Sequence, residues 1–258
     1  MQPVATPVLA GEGIKKAFGH VEALRGVDIE LYEGEVLALV GDNGAGKSTL
    51  IKILSGALQP DSGELRMDGS RVTFHTPIAA REHGIETVYQ DLAVVPILDV
   101  AENLYLGREI RFGGPLGRVL PFIDKRAMRR RAREHLQTLN IGIQSVRQRA
   151  ETLSGGQRQA VAVARAPAFG RRIVIMDEPT AALGVRETAA VMDVIRRINE
   201  QGLAIILISH NLPQVLDLSD RILVLRAGRK VGIVATRETT MEQVVRLVTG
   251  AEVLHHAS

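Results

Sequence analysis

An α/β fold built on a largely parallel sheet is what this sequence predicts, and three observations carry the prediction. Short apolar runs, VLALV at 36–40, IETVY at 85–89, IVIM at 173–176, AIILI at 204–208 and RILVL at 221–225, alternate with segments of helical periodicity. The first run leads directly into a glycine-rich stretch, GDNGAGKST at 41–49, followed by the helical pattern LIKIL. Polar residues of distinct chemistry stand immediately after four of the runs: Gly41, Gln90, Asp177-Glu178 and Ser209-His210. Ligands of such sheets sit beyond the carboxyl ends of the strands, so groups far apart in sequence are gathered on one edge.

The glycine-rich stretch fits the spacing of a phosphate-binding loop: a glycine, four residues, then Gly-Lys-Ser/Thr. Gly41, Asp42, Asn43, Gly44, Ala45 and Gly46 would turn backbone N–H groups inward around an oxyanion. Lys47 would reach the β- and γ-phosphates, and the Ser48 hydroxyl, followed by Thr49, would take a Mg²⁺ position. Four fixed positions match by chance in a chain of this length on the order of one per cent of the time, which leaves little weight for an ordinary strand-to-helix turn. The glycines stand as G-x-x-G-x-G, the wrong order for a dinucleotide fingerprint.

Residues 8–34 alternate apolar and polar side chains in short pieces and predict antiparallel strands with turns at Gly26 and Gly34. A helix-rich insert interrupts the strand–helix alternation from 91 to about 150. Within it Met128, Ala132, Leu136 and Leu139 fall on one helical face, while Arg126, Arg129, Arg130 and Arg133 fall elsewhere, a solvated face or a contact for nucleic acid or lipid headgroups. RFGGPLGRVLPF at 111–122 reads as a loop. Pro167 should end or kink the helix before it.

Composition narrows the possibilities without naming a function. The 258 residues are 45% apolar and 24% charged, ordinary for a globular chain. Cysteine is absent, which removes disulfides, a thiol nucleophile and thiolate metal sites. A formal net charge of +3 makes no case for nucleic acid as a partner. The N-terminal MQPVATPVLAGEG has neither a basic region nor a long apolar one, so no secretory signal is expected, and no apolar run approaches the ~18 residues of a membrane span. The two histidines of the terminal LHHAS read as solvated surface.

A second anion site is offered by LSGGQRQAVAVARA. Ser154 can cap the helix that follows, and Gly155 and Gly156 leave backbone N–H groups near its positive end, with Gln157 completing the motif. Asp177 ends an apolar strand, where a carboxylate can hold Mg²⁺ or simply cap a helix. Glu178 beside it can polarise a water for in-line attack on a γ-phosphate. His210 is either a satisfied histidine at a sheet edge or a group of the phosphate site.

Taken together, LSGGQ, GDNGAGKST and IVIMDEPT resemble the nucleotide-binding subunit of an ABC transporter, over about residues 10–250. The resemblance implies a P-loop NTPase (RecA-like) core over 8–90 and 151–258 that includes an N-terminal antiparallel β-subdomain, with a helical subdomain at 91–150, all within one cassette of 258 residues. It implies that Phe18 stacks on adenine, that Gln90 is the glutamine of the loop joining the subdomains and a Mg²⁺ ligand with Ser48 and Asp177, and that Glu178, His210 and Gln90 act in ATP hydrolysis. Ser154, Gly155, Gly156 and Gln157 would cap ATP held by a second copy, in a homodimer. KAFGHVEALRGVDIEL, VYQDLAVVP, PTAALGVRE and MEQVVRLVTG look most like the ribose, xylose and fructose importers, many of which carry two modules in one chain. Membrane permease subunits, and a sugar-binding protein outside acting indirectly, are the implied partners, and the cytoplasmic face of the membrane is the implied location. A soluble relative acting on DNA or ribosomes is the alternative. Gly184 stands where the family often has an aspartate that crosses the dimer, and this leaves that contact in question.

Overall fold

The fold is that of a computed structural model describing residues 6–89, 94–112, 122–169 and 172–251. The chain runs β1 (Leu9–Phe18), β2 (Val21–Leu31), β3 (Val36–Val40), α1 (Lys47–Leu54), β4 (Ser62–Met67), β5 (Ser70–Val72), α2 (Pro77–Glu82) and β6 (Ile85–Val88). Helices follow: α3 (Val100–Leu104), α4 (Lys125–Thr138) and α5 (Gly155–Ala164). The remainder is β7 (Ile173–Asp177), α6 (Val185–Glu200), β8 (Ala204–Ile208), α7 (Leu212–Leu218), β9 (Arg221–Arg226), β10 (Arg229–Ala235) and α8 (Met241–Thr249). Packing groups these into two units, one of Met1–Thr87, Arg171–Glu178 and Asn199–Ser258, the other of Val88–Gly170 and Pro179–Ile198.

The first unit carries two sheets. In the six-stranded sheet the order is β10-β9-β3-β8-β7-β6, with β3 parallel to β8 and β9, and β7 parallel to β8. All five residues of β3 and of β8 are buried, as expected of strands covered on both faces. β10 pairs antiparallel with β9 and forms one edge. The second sheet, ordered β2-β1-β4-β5, is antiparallel. The reversal between β1 and β2 lies at Gly19-His20, not at Gly26. Gly26, at φ +88°, sits inside β2 between the Ile14–Val27 and Lys15–Arg25 pairs, so it is a bulge that bends the strand rather than ends it. The turn at Gly34 is present.

The second unit is helical. Met128, Ala132, Leu136 and Leu139 are all buried on one side of α4, which packs with α3 and α5. Arg129 leaves the arginine run to pair with the buried Asp99 at 2.9 Å, whereas Arg126, Arg130 and Arg133 are exposed. α5, expected with the core, packs within this helical group. It ends at Ala164 and gives way to a 3-10 turn at Pro167–Phe169, because proline cannot donate the next helical hydrogen bond. Of the glycine-rich segment 111–122 only the ends are described. Arg111 bridges Ile123, and Phe112 N–H donates to the Phe122 carbonyl at 3.0 Å.

Candidate active site

Three neighbouring strands, β3, β8 and β7, deliver three sets of polar groups at their carboxyl ends. Beyond β3 the chain turns through Gly41–Gly46 into α1. A Cβ at Gly41 would run into the carbonyl oxygen of Leu225, and one at Gly46, where φ is +104°, would lie 2.6 Å from the carbonyl oxygen of Ala23. The loop is therefore threaded between β9 and β2 where only glycine fits. Ala45 anchors it, donating to the Asp42 carbonyl at 3.1 Å and accepting from Gly228 N–H at 3.0 Å. Gly46 caps α1 with no side-chain acceptor, so the first amides of α1, together with the Ser48 hydroxyl, present an open positive end. Lys47 Nζ donates to the carbonyls of Gly41 at 2.6 Å and Asp42 at 3.0 Å. Burial holds its ammonium below the usual lysine range, opposed by the charges of Glu178, Asp42 and Asp177.

Asp177 and Glu178 end β7. Burial first, then the charge of Glu178, pushes the Asp177 carboxyl above the usual range, against Lys47 and Lys52. Glu178 has φ +52°, a left-handed backbone that costs a non-glycine residue about 1 kcal/mol or more and collects at functional positions. Its N–H still donates to the Ile208 carbonyl at 3.0 Å, extending the β7–β8 ladder one step beyond the Asp177–Ile208 pair. That step turns the Glu178 side chain toward His210, whose Nδ1 lies 2.9 Å from Glu178 Oε1. Ser209, before it, is buried and accepts from Asn211 N–H at 3.1 Å, while Asn211 caps α7 through Gln214 N–H. The Ser48 hydroxyl and the Asp177 carboxylate are hard oxygen donors, and the mutual repulsion of two adjacent carboxylates favours a cation. Among the described residues no cluster of three or more histidine or acidic side chains is placed to hold a metal ion.

In the helical unit, the LSGGQ segment forms a capping box. Ser154 Oγ accepts from Gln157 N–H at 3.2 Å, and Gln157 Oε1 accepts from Ser154 N–H at 3.1 Å. The Gln157 amide also donates to the Gly142 carbonyl at 2.9 Å, so this side chain secures the turn. A Cβ at Gly155 would lie in ordinary contact with Leu183 Cδ2 at 3.7 Å, whereas Gly156 is buried against Glu187. Gln90 lies outside the described residues.

The sequence pattern of the family described as ABC transporter matches residues 24–181, more than half of the chain. The chain belongs to the ABC transporter family. It is accordingly a nucleotide-binding ATPase cassette. A fructose import ATP-binding protein of Rhizobium meliloti is 50% identical over 247 residues, 95% of each chain. A ribose import ATP-binding protein of Rubrobacter xylanophilus is 45% identical over 96% of this chain, which spans 48% of that relative's length. Among solved structures, an ATP-binding cassette in a dimeric post-hydrolysis state with ADP and phosphate is 26% identical with a TM-score of 0.72, covering 90% of this chain and all of that one.

Phe18 ends β1 and is 51% exposed. Lys16 Nζ lies 5.9 Å from the centre of this ring and is fixed at 2.6 Å by Asp61, which also accepts from Ala17 N–H. Neither Lys16 nor Asp61 is distinguishable in the sequence. Only the alternation Lys16-x-Phe18 on one strand face hints at the first, and nothing local hints at the second.

Proposed function

We propose that this ATPase works as a dimer of identical chains that drives uptake of a monosaccharide through separate membrane permease subunits, the sugar being brought by a binding protein outside. The observation that carries the reading is the 50% identity with a fructose import protein over 95% of both chains. No helix of the described residues is long and apolar enough to cross a membrane. The ATPase would sit on the cytoplasmic face of the membrane.

In the catalytic cycle, the amides of 41–49 surround the phosphates, and Lys47 exchanges the carbonyls of Gly41 and Asp42 for β- and γ-phosphate oxygens. Phe18 offers its ring to adenine. Ser48 and Asp177, with Gln90, would hold Mg²⁺, which when bound neutralises charge developing on the phosphate oxygens. Glu178 takes the water's proton or orients the water for in-line attack, with His210 holding the carboxylate by its Nδ1–H. The helix end at Ser154–Gln157 caps the γ-phosphate held by the second copy, and its grip is lost with that phosphate.

Deleting the gene and measuring uptake of labelled fructose, ribose and xylose tests the reading. Loss of uptake of one of these sugars, restored by the wild-type chain and not by Lys47→Ala, is expected. Unchanged uptake of all three would overturn sugar import.

A further inference from the structure

Glu187, in the first turn of α6, reaches two glycines of the helical unit at once. A Cβ at Gly156 would lie 2.7 Å from both Cβ and Cγ of Glu187 and 3.2 Å from its Cα. Carbon atoms in contact stay about 3.5–4 Å apart, so the stem of Glu187 occupies the space beside the LSGGQ turn that a side chain would need. A Cβ at Gly184 would lie 2.6 Å from Glu187 Oε2 and 3.6 Å from its Cδ. A side chain at 184 and the carboxylate in its present position therefore exclude each other. The stem is clamped on Gly156, and the carboxylate comes to rest at the bare backbone of Gly184, which is exposed.

Among the described residues the Glu187 carboxylate accepts no hydrogen bond and makes no ion pair, although it is only partly exposed. It lies in the first turn of α6 and, through Gly156, against the first turn of α5. An oriented acceptor with open lone pairs at an exposed loop is complementary to a donor supplied from outside the chain.

We propose that Glu187 is a positioning residue of the dimer: it ties the 182–184 loop to the LSGGQ turn and presents to a second copy of this chain the carboxylate that position 184 lacks. The inference rests on the dimeric reading above. A solved relative is dimeric in its ADP- and phosphate-bound state, which is the ground for choosing a second copy as the occupant.

The test uses the Glu178→Gln chain, in which slowed hydrolysis lets ATP-bound dimers accumulate, and reads the dimer dissociation constant with ATP and Mg²⁺ by sedimentation. Glu187→Gln keeps the stem and loses the charge, and is expected to weaken the dimer about tenfold; Glu187→Ala is expected to weaken it about 10²-fold, the range of a charged hydrogen bond. Gly184→Asp alone crowds two carboxylates and also weakens the dimer. Combining Gly184→Asp with Glu187→Ala moves the carboxylate back to position 184 and should restore dimerisation to within about threefold of the parent, a rescue that a purely structural role for Glu187 does not allow. Dimers unaffected by Glu187→Ala, or a double variant no better than Glu187→Ala alone, would overturn the assignment. A parent that does not dimerise with ATP brings down the dimeric reading, and this inference with it.

Discussion

His210 Nδ1 lies 2.9 Å from Glu178 Oε1, with the imidazole 78% exposed and the carboxylate 14% exposed. The ring stands at the mouth of the site and the carboxylate inside it, which is the order needed if a histidine is to hold a carboxylate toward a phosphate and then let go. Glu178→Gln should keep ATP affinity and lower turnover by about 10² or more, the scale of losing a general base or a group that orients water. His210→Ala should lower turnover less, because the carboxylate remains. Single-turnover hydrolysis beside nucleotide titration measures both, and unchanged turnover in Glu178→Gln removes this residue from the mechanism.

Asp177 sets stability against activity. Burial and the neighbouring Glu178 raise its folded-state pKa above the unfolded value, so the folded chain binds this proton more tightly. The ionised side chain then costs stability once pH exceeds the unfolded carboxylate pKa of about 3.9, and the cost reaches its full size above the folded value. Asp177→Asn should accordingly melt higher than wild type at pH 7 in the absence of nucleotide, while losing Mg²⁺-dependent hydrolysis. The difference in melting temperature should close as pH falls through the window between the folded value and about 3.9. A variant that melts lower than wild type at pH 7 would contradict the burial argument.

What the sequence makes legible follows its local physics. The runs at 36–40, 173–176, 204–208 and 221–225 appear as β3, β7, β8 and β9 because strands buried on both faces are apolar throughout. The phosphate loop is legible because its glycines are demanded by backbone angles and near contacts that no other residue meets. Gly26 reads as a turn in the sequence because a bulge and a turn ask for the same positive φ, and only pairing with β1 tells them apart. Asp61 under Lys16, and Glu187 against Gly156, are contacts between segments distant in sequence, so no local pattern announces them. The 2.9 Å contact of His210 with Glu178 is an intermediate case: the strand ends can be read, but the left-handed turn at Glu178 that closes it cannot.

Asn103 decides the shape of the segment that begins at Val94. Its side chain is 2% exposed in relative terms, accepts from Val95 N–H at 2.7 Å and donates to the carbonyls of Val95, Leu98 and Asp99 at 3.0, 3.2 and 3.1 Å. Asn103→Leu leaves the Val95 N–H without this partner, while the three carbonyls keep their backbone donors Leu98, Ala150 and Asn103, and should cost about 1–3 kcal/mol, the range for one buried unsatisfied group. Urea unfolding reads the loss as a lower midpoint. We propose that this segment meets the permease, so charged substitution at Val94 or Val95 should uncouple transport while ATP binding by the isolated chain is kept. Normal sugar uptake by such variants would refute docking there.

A chain with one phosphate loop and one LSGGQ turn can build two equivalent composite sites only by pairing with itself. Lys47→Ala damages the loop that holds the phosphates, and Ser154→Arg fills the helix end with a side chain that cannot make the cap seen at 3.2 Å. Each variant alone forms dimers in which both sites are faulty. In the mixed dimer one site carries both faults and the other carries neither. Mixing the two variants with the permease present should therefore restore part of the ATPase activity that neither shows alone, and the activity should follow the mixed-dimer fraction as the mixing ratio changes. Purified mixed dimers as inactive as their parents would mean that the sites are not shared or that one intact site is insufficient. Cysteines placed at Gly44 and Ser154 separate these outcomes in a chain with no cysteine of its own: ATP-dependent crosslinking between chains upholds shared sites, and its absence refutes them.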